Sequence, residues 1–197
     1  MNKLIQRGVL SIAGLTAAAG IAASPGLTTP TTPTTDTTPV TATITTDKPV
    51  PTDKLLPHGE PTGQSRIPLN AEQTANAKAI IEATKNNGMD ERAAVVAIAT
   101  ALQESKLENL GHLGDRNDHD SQGLFQQRPS SGWGTVEQIT DPEYSTTAFL
   151  TGLKQVDGWK DMPLTQAAQT VQVSAYPNHY AQWEKLAADL VAQHWNK

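Results

Sequence analysis

The chain has 197 residues, a formal charge of −5 and no cysteine. That length holds one ordinary domain plus an appendage. Lack of cysteine excludes disulfide stapling and Cys-ligated zinc, and the acidic balance argues against nucleic acid as a partner.

The first 23 residues have the pattern of a signal peptide. Lys3 and Arg7 supply a positive start. Residues 8–23 are apolar and small, too short and too rich in Gly and Ala for a membrane span. Ala22, Ala23 and Ser24 offer cleavage sites, and no Cys follows to carry a lipid; an uncleaved anchor is the alternative. The chain is therefore expected to be secreted, with no stable membrane span after cleavage. Residues 24–66 contain fourteen Thr and eight Pro. With so few apolar residues the segment is expected to be a disordered, semi-stiff linker, either a spacer that holds the rest of the chain at a distance or a solubilising tail.

The domain is expected over residues 67–197. Asn70 with Gln73 three positions on forms a capping box, opening a helix to about Asn87, where Gly88 stops it. Ala77, Ile80, Ile81 and Thr84 form its inward stripe. Asp90 caps a second helix, preceded by Met89 and followed by Glu91. This helix carries no charge over residues 93–102, the mark of a helix buried on every side. It then runs into Gln103, Glu104 and Ser105. A carboxylate at a helix C-terminus and partly out of water favours its protonated form, which suits a general acid. Alternatively Glu104 simply reaches solvent as the helix ends.

Residues 108–122 read as an acidic loop, and residues 123–127 as a short strand or extended cleft edge. Trp133 lies in a Gly-flanked turn. Thr135 with Gln138 opens a short helix. Asp141, Pro142 and Glu143 open another, ending near Val156. Pro163 starts a helix to about Ala175, and residues 178–195 form the last, with Tyr180, Trp183, Leu186, Leu190 and Val191 inward. The whole is a mainly α domain of six or seven helices around one hydrophobic helix.

Three short motifs stand in order: Glu104-Ser105; Gly123-Leu124-Phe125-Gln126, leading to Pro129; and Ser174-Ala175-Tyr176-Pro177. Together they resemble lytic transglycosylases of the lysozyme-like superfamily, which carry Glu-Ser, then Gly-Leu-Met-Gln ending in Pro, then Ala-Tyr-Asn. The resemblance covers about residues 68–197. It implies a lysozyme-like, soluble-lytic-transglycosylase-type fold and peptidoglycan glycan strands as the partner, with the secreted chain expected in the cell wall as a monomer. The implied reaction is cleavage of the β-1,4 bond between N-acetylmuramic acid and N-acetylglucosamine, with Glu104 as the single acid/base. It also implies that Gln126 lies in the cleft, that Tyr176 points its hydroxyl at Glu104, and that the glycines around the loop let backbone approach the sugar. Ser105, Gly123, Phe125, Gln126, Tyr176 and Trp133 form the expected substrate-binding set. This chain departs from the pattern in having Phe125 for Met, Pro177 for Asn, and a longer, more acidic loop.

That loop offers Asp115, Asp118 or Asp120 as a second carboxylate, which would position water and give a hydrolytic muramidase; a solvated charged loop is the plainer alternative. A non-catalytic wall-binding module on the same fold is the alternative from another class. No metal or cofactor is expected. Asp118, Asp120, Gln122 and Gly123 imitate part of a calcium loop, but Pro129 stands where it needs a glutamate. His112, Asp115 and His119 match no tight zinc spacing.

Overall fold

A computed structural model describes residues 48–114, 117, 119–174 and 177–197. The expected signal peptide and most of the linker lie outside the described residues. Seven α-helices are formed among those described: α1 (Thr52–Leu55), α2 (Ala71–Asn86), α3 (Glu91–Ser105), α4 (Val136–Ile139), α5 (Pro142–Lys154), α6 (Leu164–Gln172) and α7 (Glu184–His194). Turns of 3₁₀ helix occupy Pro129–Ser131 and His179–Trp183. The protein is mainly α, and no helix among the described residues is long and apolar enough to cross a membrane.

The uncharged run sets the architecture. Every residue of α3 from Arg92 to Leu102 is buried, because a helix without a polar face has no side to give to water. It is packed by α1, α2, α5, α6, α7 and the 3₁₀ turn His179–Trp183. The helix starts follow the local chemistry. Asn70 and Gln73 form the reciprocal capping box of α2, Thr135 and Gln138 that of α4, and Asp141 caps α5 with Pro142 in its first turn.

Four expectations need correction. The linker boundary at residue 66 falls too late, because Val50, Leu55 and Leu56 are buried in the main core. Three apolar side chains in a Thr/Pro-rich background suffice to fasten this strap to the domain. The segment 123–127 is a reverse turn, not a strand: Gln122 and Gln127 exchange both backbone hydrogen bonds at 3.0 Å across an isolated bridge. A strand would alternate its side chains, whereas here consecutive Leu124 and Phe125 are both buried. The last helix, expected from residue 178, begins as the 3₁₀ turn and becomes α only at Glu184. Similarly, α6 stops at Gln172, where Val173 turns left-handed (φ 53°).

Candidate active site

The C-terminal end of α3 is built with unusual backbone. Lys106 (φ 58°) and Leu107 (φ 65°) are both left-handed, a conformation that costs a non-glycine residue about 1–2 kcal/mol. Leu107 N–H donates back to the Ala101 carbonyl at 3.3 Å, the long backward bond of a Schellman closure made without glycine. Burial of the Leu107 side chain opposes the strain. So do two side-chain amides from α2. Gln73 Nε2 donates to the Lys106 carbonyl and Asn76 Nδ2 to the Leu107 carbonyl, each at 2.9 Å. Carbonyls left open at the end of a buried helix are thereby satisfied.

Glu104, on the last turn, is half-buried. The Tyr180 hydroxyl donates to its Oε1 at 2.7 Å. Tyr180 is wholly buried on the 3₁₀ turn. Burial pushes its phenol pKa far up, and the adjacent Glu104 carboxylate pushes it the same way, while a hydrogen bond from Ser174 opposes both. The phenol therefore keeps its proton as the donor to Glu104. Next to it, Gln103 Oε1 accepts from Trp183 Nε1 at 2.9 Å and from Gln182 Nε2 at 3.1 Å. The Lys106 ammonium sits 4.9 Å from the centroid of the Trp183 ring. Burial lowers its pKa, with Glu104 acting in the opposite direction. The arrangement is a carboxylate held by a fixed donor and partly open to solvent, as proton transfer to a bound molecule requires.

The other expected site residues divide. Ser105 is buried, its hydroxyl 2.9 Å from the Leu124 carbonyl and 3.1 Å from that of Ala101. It ties the helix end to the Gly123 turn rather than facing a ligand. Gly123 is buried at φ 78°, and a Cβ there would lie 2.0 Å from the Ile139 carbonyl oxygen. Close packing on the end of α4, not approach to a sugar, demands glycine. Phe125 is 1% exposed and stacks on Phe149 at 5.0 Å between centroids, so its side chain belongs to the core and cannot line a cleft. Gln126 is half-buried and left-handed (φ 46°), with Nε2 donating to the Gly123 carbonyl at 3.0 Å. Trp133 is half-buried against the core. Tyr176 lies outside the described residues, as do Asp115 and Asp118. Asp120 accepts from both the backbone N–H and the hydroxyl of Ser130 at 2.7 Å, and these bonds hold its carboxyl below the usual range. It fastens the loop to the 3₁₀ turn Pro129–Ser131. Among the described residues no three His, Asp or Glu side chains cluster as metal ligands would.

Sequence reading gives Tyr180 as an inward helix residue, not as a partner of Glu104. Its hydrophobic spacing was legible, but its hydroxyl's destination depends on which end of α3 the last segment crosses. No family model matches the chain, and no curated protein matches it.

Proposed function

We propose that the protein is an exported peptidoglycan glycosidase of lysozyme-like fold, cleaving the β-1,4 bond between N-acetylmuramic acid and N-acetylglucosamine with Glu104 as acid/base. The observation that carries this is the 2.7 Å hydrogen bond from the buried Tyr180 hydroxyl to a half-buried carboxylate at the tip of the central helix. The three ordered motifs support it, and the third touches this network through Ser174 on Tyr180.

In this mechanism the Glu104 carboxyl gives its proton to the glycosidic oxygen as the C1–O4 bond breaks. The Tyr180 hydrogen bond stabilises the carboxylate that remains. That carboxylate then takes the proton of the muramic 6-hydroxyl as its oxygen bonds to C1, giving a 1,6-anhydro product and restoring the acid.

The test is to incubate the full chain with purified cell wall and analyse released muropeptides by mass spectrometry. Anhydro ends are expected, while reducing ends would replace the transglycosylase with a muramidase. Glu104→Gln, close in size, is expected to abolish release with the melting temperature unchanged. Release that survives this change removes Glu104 from its role. Binding to wall without release would instead select a non-catalytic module.

A further inference from the structure

The strap of residues 48–66 reaches the turn that carries Tyr180. Gln64 Nε2 donates to the Ala181 carbonyl at 2.9 Å, and Gln64 Oε1 accepts from the Lys185 backbone N–H at 2.7 Å. Beside it, Ser65 N–H donates to the Gln182 carbonyl at 2.8 Å, and the Ser65 hydroxyl to Gln182 Oε1 at 2.7 Å. In an unbroken α-helix the Lys185 N–H would donate to the Ala181 carbonyl. The Gln64 amide is inserted into that bond and satisfies both halves of it. Ala181 O is left with the tighter 3₁₀ bond from Glu184 N–H, and α7, whose own N-cap supplies no side-chain bond, is capped from the strap.

Consequences for the site follow along the chain. Tyr180 adjoins the clamped Ala181. Gln182, held by Ser65, donates through Nε2 to Gln103, the neighbour of Glu104. A continuous α-helix winds about 100° per residue against about 120° for a 3₁₀ turn. Relaxing residues 179–183 to α would therefore rotate the Tyr180 side chain away from Glu104.

We propose that Gln64 is a positioning residue for Glu104: by splitting the bond between Ala181 and Lys185 it keeps the last segment 3₁₀ and so directs the Tyr180 hydroxyl to the acid. This rests on the glycosidase assignment only for its kinetic consequence. The geometric claim stands apart from it.

Two measurements on the full chain decide the matter. The first follows ionisation of the tyrosine phenols by ultraviolet difference spectroscopy in wild type and Gln64→Ala, with Tyr180→Phe identifying the Tyr180 component. In Gln64→Ala that component is expected to titrate at lower pH than in wild type. An unchanged titration overturns the proposal whether or not the protein cleaves glycan. The second measures kcat/KM for wall cleavage in Gln64→Ala, Tyr180→Phe and the double variant. A single loss of roughly tenfold is expected for Gln64→Ala, since misplacing a reacting group by about 1 Å can cost about 100-fold. The double variant should fall no further than Tyr180→Phe alone. Losses that multiply would show that Gln64 acts only through general stability and would overturn its positioning role. If wild type itself releases nothing, the glycosidase assignment fails and the phenol titration alone decides the role of Gln64.

Discussion

Leu55→Ala tests whether the strap is part of the folded domain. By composition Leu55 sits in a linker, where a truncation would change stability by about 0.5 kcal/mol or less. In the structure its side chain is 3% exposed and joins the main core. Its carbonyl also accepts from the buried Arg92 Nη1 at 2.8 Å, which fixes where the side chain enters. Core Leu→Ala changes cost about 2–5 kcal/mol. Because α1 is a single turn that can partly collapse into the space, the lower half of that range, about 2–3 kcal/mol, is expected. For a domain of this size each kcal/mol moves the melting temperature by about 2–4 °C, so the shift should be about 5–10 °C by circular dichroism. Asp53→Ala, at an exposed position of the same turn, serves as control and should stay near wild type. A Leu55→Ala melt within about 2 °C of wild type would refute the packing of the strap.

Gly123→Ala should cost about 3 kcal/mol or more, read by urea denaturation, because left-handed strain adds to a backbone clash; the added Cβ would lie 2.0 Å from the Ile139 carbonyl oxygen. Arg92 and Glu184 form a buried pair at 2.6 Å, and Arg92→Ala, which leaves Glu184 alone, should cost about 3–5 kcal/mol. The double change Arg92→Met with Glu184→Leu should recover most of that loss in the same assay. Burial, with Lys78 and Lys197 nearby, depresses the His194 pKa below its ordinary 6.5. The unfolded chain then binds a proton that the folded one resists, so stability falls as pH drops through about 6.5. His194→Gln should flatten that part of the stability curve, measured as urea midpoints across pH.

Periodicity and capping chemistry made the helices legible, because both act within a few residues. Asn70 with Gln73, Asp90, Thr135 with Gln138, and Asp141 cap the helices at the residues where they were expected. What failed depends on contacts remote in sequence. Leu55 and Leu56 look like isolated apolar residues until α3 supplies a surface for them. The 3₁₀ start of the last segment is set by Gln64 and Ser65, more than a hundred residues earlier, and no local pattern encodes it. Gly123 and Phe125 share the cause of their misassignment. A motif names residues that stand together, but only tertiary packing separates those facing a ligand from those holding the motif in place. At the candidate site the sequence identified Glu104 and the helix end that bears it, while the donor, Tyr180, required the fold.

Where Glu104 stands on its helix explains why the site draws on so many segments. Near the C-terminus of an α-helix the backbone N–H groups are already used inside the helix, and the open groups are carbonyls. The helix thus offers a carboxylate there no hydrogen-bond donor of its own. Any donor must come from another part of the chain, and here it is the Tyr180 hydroxyl. The carbonyls need donors too, and Gln73 and Asn76 bring amides from α2 to those of Lys106 and Leu107. Each of these side chains supplies the polarity that the helix end lacks, so the acid depends on α2 for its helix end and on the 3₁₀ turn for its hydrogen bond. The 3₁₀ turn depends in turn on the strap. A carboxylate at a helix N-terminus would have needed none of these, since the free N–H groups there would have bonded it directly. Two or three N–H bonds of that kind would also have favoured its charged form more than the single Tyr180 hydroxyl does.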